Sequence, residues 1–391
     1  MEPVDVAPLF TPFRLGPLTL PNRFVMPAMQ RGWCAHGAPR PELADYYARR
    51  VEGGVSLVIG ESTAVDHPSS TRQPSACRLN AETLGAWARC VEAVKAAGGA
   101  MFLQLWHEGA LRRDGGEGPG ADYPTLSPSG VVYGGKPNGR AATGAELAEI
   151  KEAFVRGARD AQSIGADGVE IHACHGYLLD QFLWAATNRR ADGYGGDDIA
   201  DRIRFPVAIA EEIRAACGPE FVISFRYSQW KEADYEAKIV ETPEELAVML
   251  AALEAAGVDV LHASQRRFWT PEWPDAEEGA ARNFAGWSKA LSRLPAITVG
   301  SVGLDVDIME TIFGQEAENR VEDGVRELVR RSCAGEFDLV SIGRGLIGDP
   351  DWVDKVRDGR FADVRAFARA DLGVIEWDAS IIEEAHGHSH G

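Results

Sequence analysis

The sequence predicts an α/β fold, a (β/α)8 TIM barrel with loop insertions, on three observations. Eight short apolar runs recur along the 391 residues, helical patterns separate most of them, and no GxGxxG turn follows the first run. Alternating strands and helices argue for a parallel sheet, and eight repeats with insertions suit a chain of this length. A doubly wound open sheet is the alternative, but it usually carries that glycine-rich turn.

The predicted strands are short and apolar, and each leads into polar, charged or glycine-rich positions. They cover residues 24–26, 57–59, 101–103, 168–171, 221–223, 258–261, 296–299 and 339–342. Apolar positions at helical spacing predict helices over 40–53, 81–98, 144–165, 200–217, 243–257 and 320–334. Asn80 is the expected N-cap of the second helix, and Thr242, Pro243 and Glu245 suit the N-cap, N1 and N3 positions of the fifth.

One segment interrupts the regular alternation, and one follows it. Residues 115–139 hold eight glycines and four prolines, which predicts an excursion over the barrel mouth that could act as a lid. A surface loop without a role is the alternative. We expect a single barrel domain over residues 1–375 and a tail over 376–391, and we assign no function to the histidines that end this tail.

The charge balance excludes several classes of partner. With 40 Lys and Arg against 59 Asp and Glu, the net charge is −19, which disfavours nonspecific binding to nucleic acids and to anionic membranes. Any bound anion must therefore be held by a few local donors. No 18-residue apolar run and no signal peptide are present, and the six cysteines form no CxxC pair. We expect a reduced, cytoplasmic protein without a disulfide framework or a cysteine cluster for a metal.

Side chains at the carboxyl ends of barrel strands line the active site in this fold. Here the ends carry Pro27, Ala28, Met29, Gln30, Glu61, Ser62, Gln104, Trp106, His107, His172, His175, Tyr177, Arg226, Tyr227, His262, Ser264, Gly300, Ser301, Gly343 and Arg344. The glycine-rich ends of the last two strands predict a phosphate site, because such loops bring backbone N–H groups close to phosphate oxygens. Arg226 and Arg344 supply positive charge at strand ends, which suits a planar, anionic or carbonyl-bearing ligand, and structural salt bridges are the alternative.

The segment His172-Ala173-Cys174-His175-Gly176-Tyr177 is the sharpest local feature. Two imidazoles three residues apart across a turn can aim N–H donors at one carbonyl oxygen, and the phenol can deliver a proton to a neighbouring carbon. A two-histidine metal site and a buried structural pair are the alternatives. The metal site lacks a carboxylate at HExxH spacing, and we expect no metal. Gln104 offers both a donor and an acceptor at a strand end, which suits the edge of a heterocycle.

Taken together, the motifs resemble the old yellow enzyme family of flavin-dependent ene-reductases, from about residue 8 to about residue 360. In chain order they are LFTP at 9–12, LPNRFVM at 20–26, QLWH at 104–107, HACHGYLLDQFL at 172–183, NRRADGYGG at 188–196, RIRF at 202–205, IGRG at 342–345 and DP at 349–350. Two positions depart from the family pattern, with Ala28 where proline is common and Gln30 where threonine or cysteine is common. No cysteine follows Cys333, so we expect no iron–sulfur extension.

The resemblance implies a tightly but noncovalently bound FMN on the carboxyl face of the barrel. The flavin ring would lie alongside Pro27, Ala28, Met29, Gln30 and Ser62. Gln104 and Arg226 would contact its pyrimidine edge. Gly300, Ser301, Gly343 and Arg344 would hold the phosphate.

The implied reaction is ping-pong, with NADPH or NADH as the transient reductant. An α,β-unsaturated carbonyl compound would be held at its oxygen by His172 and His175, take hydride from flavin N5 at its β-carbon, and be protonated at its α-carbon by Tyr177. The protein would act on small molecules as a monomer or homodimer. A flavin-dependent dehydrogenase or demethylase of an amine or other donor is the alternative, and a metal-dependent hydrolase or lyase using the two histidines is more distant.

Overall fold

The computed structural model describes residues 3–305, 315 and 318–374, and it confirms the eight-stranded parallel barrel. The barrel strands are β1 Phe24–Met26, β2 Leu57–Ala64, β3 Ala100–Trp106, β4 Gly168–His175, β5 Val222–Lys231, β6 Val260–Ser264, β7 Ala296–Val299 and β8 Leu339–Ser341. Each pairs in parallel with its neighbour along the chain, and β1 closes the barrel between β8 and β2.

Every predicted strand is present, but β2, β4 and β5 run well past their apolar runs. Two register shifts occur in these extensions, one between Gly60 and Ser62 and one between Ala173 and His175. A bulge of this kind re-aims side chains that strict alternation would send to the other face. The extensions therefore set the directions of Glu61, Ser62 and His175.

The helices are α1 Pro41–Glu52, α2 Leu84–Ala96, α3 Gly144–Ser163, α4 Leu178–Leu183, α5 Ile199–Arg202, α6 Arg204–Cys217, α7 Pro243–Ala255, α8 Phe284–Leu291, α9 Val321–Cys333, α10 Arg344–Gly348 and α11 Trp352–Arg357. The Thr242 cap is confirmed, since its side chain accepts from the backbone N–H of Glu245. The Asn80 prediction is wrong by one turn, because α2 is capped at Thr83 while Asn80 accepts from the N–H groups of Glu82 and Thr83. Helix α8, capped by Asn283, was not predicted.

The amino-terminal end of the barrel is closed by a hairpin and an apolar cluster. The hairpin pairs Phe13–Leu15 with Leu18–Leu20. Its leucines meet inward-facing residues of the strands, and the buried members, which we call the floor cluster, are Leu15, Leu20, Val25, Leu57, Ile59, Phe102, Val222, Val260, Ile297 and Leu339. This end of the barrel is therefore built as a packed hydrophobic core.

The glycine-rich segment 115–139 is anchored to the loop after β2. Arg72 donates to the carbonyl oxygens of Arg113, Gly116, Ala121 and Tyr123. Gly120 has φ +65°, and a Cβ there would lie 2.1 Å from the carbonyl oxygen of Pro68, so only glycine fits. The lid function stays a prediction, as does the division into a barrel domain and a tail, and the tail 376–391 lies outside the described residues.

The expectation of a chain without disulfides is wrong, because Cys34 and Cys77 form a disulfide with their Cα atoms 5.6 Å apart. The cysteines lie 43 residues apart in sequence, on a hairpin after β1 and on a short strand beside the end of β2. Spacing gave no signal, since the barrel closure brings the two segments together. The bridge removes one of the observations on which the cytoplasmic location was based. Within the described residues, none of the helices combines the length and apolarity needed to cross a bilayer.

Candidate active site

A cavity of about 390 Å³ opens at the carboxyl ends of the strands, where the sequence placed the site. Most of the predicted cofactor-binding residues line it, namely Pro27, Ala28, Met29, Gln30, Arg226, Gly300, Ser301, Gly343 and Arg344. His175 lines it as well. The wall also includes residues that the prediction omitted, namely Trp230, Glu232, Tyr235, Gln265 and Ser341. Trp230 follows the fifth predicted strand and Ser341 lies within the eighth, so their positions carried a signal.

The predicted catalytic side chains form one aromatic cluster at the end of β4. The ring centroid of His172 lies 5.7 Å from that of His175 and 5.0 Å from that of Tyr177. The backbone turns sharply here, with φ +62° at His175 and +88° at Gly176. Trp230 packs 4.7 Å from His175, and Trp106 packs 5.3 Å from Tyr177. The structure thus brings all three residues together.

A buried ion pair holds this turn in place. Asp180 accepts from the N–H of Gly176 at 2.5 Å and from Nζ of Lys231 at 2.8 Å. Lys231 also donates to the carbonyl oxygens of Ser228 and Gln229, so its charge is well solvated by the protein. Because both ends of the pair are fixed, the backbone that carries His175 and Tyr177 has little freedom.

The electrostatics keep the cluster uncharged. Burial and the nearby Arg226 lower the pKa of His172 to about 3, and the same causes hold the pKa of His175 well below its ordinary value. Burial, with the carboxylates of Glu232 and Glu108, raises the pKa of Tyr177. At neutral pH the site therefore presents two neutral imidazoles and a protonated phenol, and each of these groups can donate a hydrogen bond.

Several buried polar atoms around the cavity have no hydrogen-bond partner among the residues that the structure describes. They include both ring nitrogens of His172, Nε of Arg226 and Oγ of Ser341. An unsatisfied buried polar atom costs free energy, so a cluster of them beside a cavity is typical of a ligand site. Hydrogen-bond donors at the level of β4 and β5 suit the carbonyl-bearing edge of a flavin, so the residues present fit the expected cofactor.

The loops after β7 and β8 form the other end of the cavity. A Cβ at Gly300, whose φ is +143°, would lie 2.5 Å from the carbonyl oxygen of Gln265. Ser301 accepts from Nη2 of Arg344 at 3.0 Å and donates to the carbonyl oxygen of Arg266 at 2.9 Å. The residues predicted to bind the phosphate therefore lie next to one another on one wall of the cavity, where backbone and guanidinium donors are adjacent.

Gln104 and Ser62 lie beneath the cavity, in a hydrogen-bonded layer with His262, another predicted strand-end residue, and with Glu170, to which the sequence reasoning gave no site role. Ser62 donates to Oε1 of Gln104 at 2.6 Å, and Nε2 of Gln104 donates to Glu170 at 2.8 Å. His262 donates from Nδ1 to the same carboxylate at 2.6 Å. Glu170 could have been noticed as a charged residue inside an apolar strand.

The argument against a metal overlooked Cys174. Its Sγ and one nitrogen each of His172 and His175 all lie within 4.8 Å of one another, which is a possible ligand set. Burial raises the pKa of the Cys174 thiol well above its ordinary value. Since the thiolate is the form that binds metals, this environment disfavours Cys174 as a ligand.

Comparison with known proteins gives a consistent family. The model of the NADH:flavin oxidoreductase / NADH oxidase family matches residues 8–363. An NADH oxidase of Thermoanaerobacter brockii is 34% identical over 374 residues, 94% of this chain and 53% of that protein, so this chain spans about half of that relative. The 12-oxophytodienoate reductase 7 of Oryza sativa subsp. japonica is 31% identical over 370 residues, 90% of this chain and 88% of the reductase.

Solved structures agree on the fold. Morphinone reductase in complex with tetrahydroNAD matches with a TM-score of 0.73 at 25% identity, over 93% of each chain. The old yellow enzyme homologue from Zymomonas mobilis matches with a TM-score of 0.73 at 24% identity, over 93% of this chain and 96% of that one, and this likeness shows the fold alone. The chain therefore belongs to the NADH:flavin oxidoreductase / NADH oxidase family, the old yellow enzyme family that its motifs predicted, and is an NAD(P)H-dependent flavin oxidoreductase.

Proposed function

We propose that this protein reduces the activated C=C bond of α,β-unsaturated carbonyl compounds at the expense of NADPH or NADH. The observation that carries the proposal is the uncharged cluster of His172, His175 and Tyr177 beside the cavity. Donors without formal charge suit a neutral carbonyl substrate, which gains negative charge on its oxygen only as the reaction proceeds. The rice relative is named as a reductase of 12-oxophytodienoate, which supports this substrate class.

FMN is the proposed cofactor, held tightly and without a covalent bond. Pro27, Ala28, Met29 and Gln30 would lie along its ring, with Ser62 and Gln104 beneath. Arg226 would contact its pyrimidine edge, and Gly300, Ser301, Gly343 and Arg344 would hold its phosphate. When bound, FMN would take up a hydride equivalent from the nicotinamide and return it to the substrate.

The two histidines orient the substrate. Ser264 lies 2.8 Å from Nε2 of His175 and 3.5 Å from Nη2 of Arg226. We assign the serine hydroxyl as the donor to Nε2 of His175, while Arg226 donates to the serine oxygen, so the imidazole proton would lie on Nδ1. Within the described part of the chain the ring nitrogens of His172 have no competing partner, so one of them can donate to the carbonyl oxygen.

Tyr177 is the proposed proton donor to the α-carbon. Its raised pKa keeps the phenol protonated across the physiological range. Tyr177 lies at the start of α4, and its ring packs between those of Trp106 and His172. The phenol would therefore lie close to a substrate whose carbonyl oxygen is bound by His172. Tyr177 would then recover its proton from solvent, because the residue is partly exposed.

The test is anaerobic reduction of the purified protein. We expect a yellow protein that bleaches with NADPH or NADH and regains its colour when 2-cyclohexenone is added. Re-oxidation by the saturated ketone cyclohexanone is the control and should not occur. A colourless protein that carries stoichiometric zinc would contradict the proposal and favour the metal-dependent alternative.

A further inference from the structure

A fully buried carboxylate lies under the cavity. Glu170 sits on β4 in register with Gln104 on β3 and Ser224 on β5, and its exposed fraction is 0%. Its Oε1 accepts from Gln104, while its Oε2 accepts from Oγ of Ser224 at 2.9 Å and from Nδ1 of His262 at 2.6 Å. Three donors from three strands thus converge on one buried group.

The carboxylate is ionised. Burial alone would raise its pKa, but the hydrogen bonds from His262 and Gln104 and the positive charge of Arg226 outweigh burial and lower the pKa of Glu170 below its ordinary value. Burial lowers the pKa of His262, which leaves that imidazole neutral with its proton on Nδ1. The layer therefore holds one net negative charge beneath Arg226.

This charge fixes the orientation of Gln104. An ionised carboxylate can only accept, so the Gln104 amino group must face Glu170. The hydroxyl of Ser62 donates to Oε1, which secures the opposite end of the same amide. The second N–H and the second lone pair of Gln104 remain available to a ligand. Because both ends of the amide are fixed, the amide cannot flip and exchange the positions of its donor and its acceptor.

The same charge compensates Arg226. Glu170 lies on β4 and Arg226 on the neighbouring strand β5. The Arg226 guanidinium lowers the pKa of Glu170, so the two charges interact electrostatically. Without a partner anion, Arg226 at the pyrimidine edge of a bound flavin would favour negative charge on the ring. The negative charge of Glu170 would reduce that preference, and a bound flavin would then give up its hydride more readily.

We infer that Glu170 is a positioning residue, which fixes the amide of Gln104 and, by offsetting the charge of Arg226, lowers the reduction potential of the flavin above it. The inference rests on the proposed FMN site. Glu170 does not touch the cavity, so it would act through Gln104 and Arg226 alone.

The test compares the midpoint potential and the FMN dissociation constant of wild type and three variants. Glu170→Gln removes the charge and should shift the potential to more positive values and weaken FMN binding severalfold. Glu170→Asp keeps the charge and should keep the potential near wild type while weakening FMN binding. Ser224→Ala removes one donor to the carboxylate, leaves its charge less screened, and should shift the potential to more negative values.

The opposite signs expected for Glu170→Gln and Ser224→Ala separate a charge effect from simple loss of structure. If Glu170→Gln does not accumulate as a folded protein, a zero or positive shift in Ser224→Ala overturns the inference. Yellow variants that all keep the wild-type potential overturn it as well, with the proposed function intact. A wild type that binds no flavin overturns both.

Discussion

The two ends of this barrel are built from the same eight strands, but one end is packed with apolar side chains and the other carries polar and charged ones. At the amino-terminal end the floor cluster is apolar, and each of its members is at most 2% exposed. At the carboxyl end the strands carry histidines, arginine, serine and a buried carboxylate. Several polar atoms of these side chains have no hydrogen-bond partner in the described ranges of the chain. The difference shows that stability is concentrated at the floor, whereas the other end is left incomplete for a ligand to finish.

Position along each strand decides which kind of side chain is found. On β3, Phe102 belongs to the floor cluster while Gln104, two residues on, lies in the polar layer. Alternate residues of a strand face the same side, so Phe102 and Gln104 both point inward at different heights. Substitutions at the two levels should therefore separate catalysis from stability.

The largest effect is expected at the site end, for Tyr177→Phe. Loss of the proton donor should slow re-oxidation of the reduced enzyme by 2-cyclohexenone by about 10²–10⁴-fold, the usual range for a general acid. Reduction by NADPH or NADH should stay within about twofold of wild type, since that step needs no such proton. Stopped-flow absorbance of the flavin measures both half-reactions.

Tyr133→Phe is the matched control, because Tyr133 is 46% exposed and stacks on Trp184. It should change neither half-reaction. If Tyr177→Phe slows both half-reactions equally, the assignment of Tyr177 as proton donor fails.

A large effect of the other kind is expected at the floor, for Phe102→Ala. Removing a fully buried aromatic ring leaves a cavity and should lower the free energy of unfolding by about 3–5 kcal/mol. The affinity of the folded protein for FMN should change little. Urea titration gives the first quantity and flavin fluorescence gives the second.

Phe102→Leu is the control for this change and should cost less, because it retains most of the buried volume. If Phe102→Ala instead lowered FMN affinity as much as is expected for Glu170→Gln and left stability unchanged, the assignment of stability to the floor and of ligand binding to the site would be wrong.

A smaller effect is expected at the site end, where His172 should make the free energy of unfolding depend on pH. The pKa of His172 is about 3 in the folded protein and close to its ordinary value when unfolded, so only the unfolded chain binds a proton as the pH falls below about 6.5. Stability is therefore lost on acidification, by about 2 kcal/mol between pH 7 and pH 5 from this residue alone. His172→Gln should remove that part of the pH dependence in urea titrations at the two pH values. A pH dependence equal to wild type would mean that His172 is charged in the folded state.

The sequence by itself determined the barrel, its eight strands and the family, and it located nine of the eleven predicted cofactor-binding residues in the cavity wall. Those features depend on local patterns, namely apolar runs, helix caps such as Thr242, and motifs that keep their spacing. The same patterns put His172, His175 and Tyr177 at one strand end, since three of six consecutive residues cannot lie far apart.

Only the tertiary structure decided which distant residues meet. The Cys34–Cys77 bridge joins residues far apart in the chain, and Glu170 meets His262 across 92 positions. The start of α2 and the presence of α8 also depended on local turns that apolar spacing does not encode. The physical reason is that strand closure and bulges, rather than sequence spacing, set which side chains share a layer. Burial in that layer then lowers the pKa values of the histidines and makes Glu170 a charged support for Gln104.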